Sequence, residues 1–221
     1  NAPTQDLATT VPQLAQASTA LVIDRKGWDL SEVNKLYFAT SYPFGENGAE
    51  IVSKALGICA QQKTDVYAGC ASGAIAIKTA FSDKSKSGEK VVVVGAEHYS
   101  ARMSVDLNRT LFSDGSAAIA FEIGKDFGLF DSAFRHEENP AILLPIDKYA
   151  FPTNCLVVPV PNCTAESEKV QDFKMDGQTV LRWVINKSPM ELTIRETKKA
   201  LREFKNVYVV THQGSGRMAK D

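Results

Sequence analysis

Apolar residues along this chain recur in two rhythms. From residue 7 to 22 they return at helical spacing, with Val11, Leu14, Ala15, Ser18 and Val22 on one face and Pro12 near the first turn. Residues 35–39 are a short β-prone run that ends in the turn-rich stretch 41–48. Helical spacing resumes at 49–56, with Gly57 placed to stop the helix. A short strand is predicted over 65–68, and a helix of small apolar residues over 74–81, one that its composition would bury on most faces. Residues 82–90 are rich in Ser, Lys and Gly and read as a solvated loop. The continuous run Val91-Val92-Val93-Val94 is the pattern of a strand covered on both faces. A second apolar run, 117–121, follows Asp114-Gly115.

Beyond residue 124 the rhythm loosens. Pro140, Pro145, Pro152, Pro159 and Pro161 mark 125–162 as extended connections. Helices are predicted at 178–185 and at 191–204, the second with an apolar stripe of Ile194, Thr197, Leu201 and Phe204. A strand over 207–211 then delivers His212 and Gln213 at its carboxyl end. Strands alternating with helices predict an α/β architecture, whose chemistry sits at such strand ends.

Composition narrows the function. The 221 residues are 44% hydrophobic and 23% charged, and 25 basic against 26 acidic side chains leave a net charge of −1. That balance gives no global field to attract nucleic acid or an anionic membrane, so neither is an expected partner. No apolar run approaches the roughly 20 residues that span a bilayer, and a cytoplasmic location is the default expectation. Cys59, Cys70, Cys155 and Cys163 are too sparse for a disulfide framework and make no CxxC pair. Nor do His98, His136 and His212 stand at zinc-ligand spacing from them, so no metal is expected.

Candidate chemistry centres on Gly69-Cys70-Ala71-Ser72-Gly73, between a predicted strand and a predicted helix. A sulfur near the unpaired N–H groups of a helix start is favoured as thiolate. The alternative for Cys70 is an inert core thiol.

The residues around Cys70 are Tyr67-Ala-Gly-Cys70-Ala-Ser-Gly-Ala-Ile-Ala. Then come Gly88-Glu-Lys-Val-Val-Val-Val-Gly-Ala-Glu97, Asp106-Leu-Asn-Arg109-Thr and Leu111-Phe-Ser-Asp-Gly-Ser-Ala-Ala118. Together with Met175-Asp-Gly177 and Thr211-His212-Gln213, their order and spacing resemble the β-ketoacyl-acyl carrier protein synthase III family of the thiolase-like superfamily. The resemblance implies a layered αβαβα fold, partial here. Residues 1–123 would be an N-terminal half that carries the nucleophile and lacks its first segment. Residues 124–221 would begin the C-terminal half and end just after the His-Gln pair.

The resemblance also implies roles. Cys70 matches the acyl-accepting cysteine, and His212 matches the histidine that polarises a malonyl thioester during decarboxylation; otherwise His212 is a strand-end histidine making a surface hydrogen bond. Arg109 matches an arginine at the coenzyme A entrance, or it pairs with Asp106 or another surface acid. Phe112, Asp114 and Gly115 belong to a core motif, with Ser113 where the family has glycine. Phe44 falls near a position that offers an aromatic ring to the partner subunit. His98 and His136 read as surface or loop residues, Cys59 as packed behind a helix, and Cys155 and Cys163 as neighbours of an acyl tunnel. Lys84, Lys86 and Lys90 form a solvated cluster or a docking point for an acidic carrier protein.

The function implied is condensation of an acyl group, taken from acyl-CoA, with a malonyl thioester on acyl carrier protein or CoA. A homodimer paired through residues 91–94 or the neighbouring strand is implied too, and no cofactor. Two other outcomes fit the same residues: acyl transfer to an oxygen or nitrogen nucleophile without decarboxylation, and a non-catalytic thiolase-fold partner subunit.

Overall fold

A computed structural model describes residues 7–41, 47–82, 86–99, 113–124, 142–143, 155–157, 174–175 and 188–212. The chain divides into two compact units, one of Asn1–Phe130 with Leu144–Phe173, the other of Asp131–Leu143 with Lys174–Asp221.

The first unit is built on a five-stranded sheet. Its elements in chain order are α1 (Leu7–Lys26), β1 (Val33–Thr40), α2 (Gly48–Leu56), β2 (Gln62–Tyr67), α3 (Ser72–Ser82), β3 (Lys90–Glu97) and β4 (Gly115–Glu122). After β5 (Ile142–Leu143), which belongs to the second unit, β6 (Cys155–Val157) returns to complete the sheet. The spatial order is β4-β3-β1-β2-β6; β3, β1, β2 and β6 run parallel and β4 runs antiparallel to β3. Because β2 and β3 lie on opposite sides of β1, right-handed crossovers must place α2 and α3 on opposite faces of the sheet. The carboxyl ends of β1, β2 and β3 therefore meet at a switch point, the position where open α/β sheets hold their chemistry.

Period-two alternation within the strands feeds both faces. Leu36, Phe38, Val92 and Val94 pack with Val11, Ala15, Ile23 and Val52 of α1 and α2. Tyr37, Ala39, Val91 and Val93 pack with Ile75, Ala76 and Ala80 of α3. Each fully buried large apolar side chain contributes roughly 1.5–3 kcal/mol. The expectation that residues 91–94 form a strand covered on both faces is met.

Helix α1 runs four residues past the predicted end because Ile23 extends the buried stripe. Pro12 falls in its second turn, and the helix closes where Gly27 N–H donates to the Asp24 carbonyl at 2.9 Å and Trp28 N–H to the Ile23 carbonyl at 3.2 Å. Gly57 stops α2 as expected, with φ of 75° and Ile58 N–H donating to the Ser53 carbonyl at 2.8 Å.

Helix α3 is less enclosed than its composition predicts: Ser72, Ile75, Ala76 and Ala80 face the sheet, whereas Ala74 is exposed. Small side chains here serve close packing on one face. Cys59 is also exposed, and not packed behind a helix, because its neighbours Ile58 and Ala60 both turn into the core and alternation sends it outward.

In the second unit, β5 pairs antiparallel with β7 (Lys174–Met175), and α4 spans Ser188–Glu203. Residues 207–211 form no strand, against expectation: Tyr208 is 92% exposed and Val210 91%. A β-prone run becomes a strand only where a neighbour supplies ladder hydrogen bonds, and among the described residues none does. The expected helix 178–185 lies outside the described residues. Ile194 and Leu201 of α4, and Phe204 just beyond it, are exposed. No helix among the described residues is long and apolar enough to cross a membrane.

Candidate active site

The site is the turn between β2 and α3. It begins with Gly69, whose φ of 55° places it in the left-handed region open to glycine. A single 3-10 turn, Gly69–Ala71, carries Cys70 ahead of the first residue of α3. Two bonds tie this turn to the end of β1. Gly69 N–H donates to the Ser41 carbonyl at 3.2 Å. The buried Ser72 hydroxyl accepts from Ala68 N–H at 2.8 Å and shares its one proton between the carbonyls of Thr40 at 2.8 Å and Gly69 at 2.6 Å.

Beside the turn, the carboxylate of Glu97 at the end of β3 accepts from Ser41 N–H at 2.6 Å and from the Ser41 hydroxyl at 2.7 Å. A carboxylate only accepts, so the Ser41 proton is committed to it, and the Tyr99 hydroxyl, 2.7 Å away, donates to Ser41 Oγ. The motif match on the sequence reached Glu97 but assigned it no role, and Ser41 and Tyr99 carried no signal of their own.

Cys70 is a free, exposed residue. Its thiol is nonetheless pushed above the ordinary value of 9.0, first by desolvation and then by the charge of Glu97, while its own backbone N–H opposes the shift. The residue as a whole is exposed, yet its sulfur is desolvated, and the charge of Glu97 acts in the same upward direction. The expectation of a thiolate at a helix start is therefore corrected. Cys70 lies between β2 and α3, as expected, but a carboxylate stands near it.

A second polar pair sits on the next residues of the same strand ends. His98 is not a surface residue: it is 4% exposed, with Nε2 3.4 Å from Asp114 Oδ2, and Nδ1 has no hydrogen-bond partner among the described residues. The β3–β4 register explains the pairing, since Glu97 opposes Gly115 and the next step brings His98 opposite Asp114. Asp65, which the sequence did not single out, is fully buried and accepts from Gly48 N–H, Ala49 N–H and the Tyr67 hydroxyl, each at 2.7 Å. It caps α2 from β2. Burial raises its carboxyl despite these three bonds. Gly48 is required there, because a Cβ would come within 2.6 Å of the Phe38 ring.

The remaining expected residues divide as follows. His212 is in the second unit and exposed, while Cys70 is in the first. Arg109, Phe44, Phe112, Lys84, His136 and Cys163 lie outside the described residues. Cys155 belongs to β6, in register with Asp65. Lys90 is bonded to Glu32 and lies over Trp28, whereas Lys86 is exposed. Among the described residues no group of His, Cys, Asp or Glu side chains is placed to hold a metal ion.

Residues 64–137, which include the whole Cys70 turn, match the family model described as 3-oxoacyl-acyl-carrier-protein (ACP) synthase III. The chain is similar to the β-ketoacyl-ACP synthase III of Prochlorococcus marinus (strain MIT 9301), with 25% identity over 219 residues, 96% of this chain and 64% of that protein. Over residues 64–137 the chain thus resembles the 3-oxoacyl-ACP synthase III family. A further synthase III, from Synechococcus sp. (strain RCC307), is 30% identical over 123 residues, 53% of this chain and 36% of that protein.

Two solved structures show that the chain has the thiolase-like fold. A tetronic acid condensing enzyme aligns with a TM-score of 0.62 at 20% identity over 88% of this chain and 56% of its own. The 3-oxoacyl-ACP synthase III of Pseudomonas aeruginosa PAO1 aligns with a TM-score of 0.61 at 20% identity over 84% and 54%. The chain spans 64% of the length of a curated relative that it matches over nearly all of its own residues.

Proposed function

We propose that this chain carries the nucleophile of a ketosynthase III-like acyltransferase acting in fatty acid or polyketide biosynthesis. The observation that carries the reading is the exposed Cys70 on a glycine-started turn at the carboxyl edge of the parallel sheet. In the first half-reaction Cys70 Sγ bonds to the acyl carbon, the carbon–sulfur bond to CoA breaks, and the thiol proton ends on the departing CoA thiol. The thiolate is the nucleophile, so the Cys70 proton has to leave before or as the acyl group arrives. In the second, loss of CO2 from a malonyl thioester, on acyl carrier protein or CoA, gives the carbanion that attacks the acyl-enzyme and releases Cys70. His212 would polarise the malonyl carbonyl and Arg109 would line the CoA entrance. Residues 1–123 supply the thiol half of this scheme and 124–221 the histidine half.

The proposed assembly is a cytoplasmic homodimer. β3 already has neighbours on both sides, so residues 91–94 are taken, and the adjoining β4 is the edge strand, with Gly115, Ala117 and Ile119 exposed. Intact-mass spectrometry after incubation with acyl-CoA tests the function. The expected result is one added acyl mass, mapped to Cys70 and absent in Cys70→Ala; no added mass across short and long acyl chains would overturn it. The second reading is a non-catalytic partner subunit, for which the expected result is full activity of the complex with Cys70→Ala.

A further inference from the structure

We propose that Glu97 is a positioning residue for Cys70, holding in place, through Ser41, the turn on which the thiol sits. The inference rests on the reading of Cys70 as the acyl acceptor. Glu97 is itself fixed, as the last residue of β3, by its pairing with Gly115. Ser41 is the first residue beyond β1 and is buried, so without the carboxylate its N–H and hydroxyl would lose their acceptor out of reach of water. Its carbonyl in turn receives Gly69 N–H, and the adjacent Thr40 carbonyl receives the Ser72 hydroxyl. The end of β1 therefore grips the turn at Gly69 and Ser72, on either side of Cys70, and Glu97 sets where that end lies. The Tyr99 hydroxyl on Ser41 Oγ closes the network from the same strand.

The arrangement has a cost. The carboxylate that fixes the turn also disfavours the thiolate, so its removal has two separable consequences: a looser turn and a more acidic thiol. Other titratable groups nearby are engaged elsewhere. Asp65 and Tyr67 of β2 are bonded to one another, Asp65 also to α2, and Lys78 of α3 lies roughly two helical turns further along.

The test uses the whole chain and two readouts that need no substrate. The first is the pH profile of Cys70 alkylation by iodoacetamide, measured on the Cys70 peptide by mass spectrometry. The second is hydrogen exchange at the Gly69 amide. Glu97→Gln keeps an oxygen for Ser41 N–H and removes the charge; its alkylation midpoint should move to lower pH while Gly69 exchange stays near wild type. Glu97→Ala should show the same movement and about tenfold faster exchange at Gly69, the scale expected for losing a charge-assisted hydrogen bond. Should Glu97→Ala fail to fold, Ser41→Ala removes only the hydroxyl link and should speed the same amide by a smaller factor. Unaltered Gly69 exchange in the alanine variants, or an unmoved midpoint in Glu97→Gln, would overturn the proposal. Both effects in the variants, with no acyl mass taken from acyl-CoA by wild-type protein, would instead overturn the acyltransferase reading and leave Glu97 in its positioning role.

Discussion

Residues 91–94 and 207–210 are nearly the same kind of sequence, Val-Val-Val-Val against Val-Tyr-Val-Val, yet they end in opposite environments. Val91, Val92 and Val94 are 0% exposed, between β1 and β4 and under helices on both faces, whereas Tyr208, Val209 and Val210 are exposed. Propensity alone does not separate them. Around residues 91–94 the chain supplies two strands to receive ladder bonds and two helices to remove water; around 207–210 the described residues supply neither. A β-prone run is thus a capacity that its neighbours realise.

The sharpest break of this contrast is a charge in each run. Val92→Asp places a carboxylate among Leu36, Phe38 and Val94 with nothing to pair it, and should cost more than about 4 kcal/mol, enough to unfold a marginal domain. Urea denaturation of the whole chain, followed by circular dichroism, reads it. A loss below about 1 kcal/mol would show that the sheet is far more open than described.

A smaller effect is expected at Asp65, which is as buried as the valines beside it but polar. Asp65→Ala leaves Gly48 N–H, Ala49 N–H and the Tyr67 hydroxyl without their acceptor and should cost about 3 kcal/mol. The pH dependence runs opposite to that of an ordinary paired carboxylate. Burial raises the folded carboxyl above 3.8, so the folded state holds its proton more tightly than the unfolded state. The stability linked to that proton is fully present below about pH 3.8 and is lost as pH rises through the raised folded value. Relative to Asp65→Asn, which does not titrate, wild type should lose stability as pH climbs from about 4; a difference that grows in favour of wild type would contradict the desolvation.

Much of the first unit was legible because its signals are local. Alternation in 91–94, the Gly57 stop and the order of motifs around Cys70 need only nearby residues to be read. Three features were not legible for the opposite reason. Asp65 matters because β2 lies beneath the start of α2, and His98 is buried because the β3–β4 register sets it against Asp114. Ser41 matters because strands distant in sequence end at one edge. The raised thiol at Cys70 was not legible for a similar reason: its helix is visible in the sequence, but neither the desolvation of its sulfur nor the charge of Glu97 on another strand is.

The smallest expected effect is the other arm of the contrast. Val210 is 91% exposed, so Val210→Asp removes almost no buried area, strands no partner and brings its charge into water. Stability should change by less than about 0.5 kcal/mol, as for surface substitutions generally. The comparison with Val92→Asp then isolates environment from residue type, since the same side chain is exchanged for the same charge in two similar runs. A loss above about 2 kcal/mol at Val210 would break the contrast, because only a covering surface could make that carboxylate expensive. Such a loss that depended on protein concentration would identify the covering surface as a second copy of the chain, and one that did not would assign it to this chain's own residues.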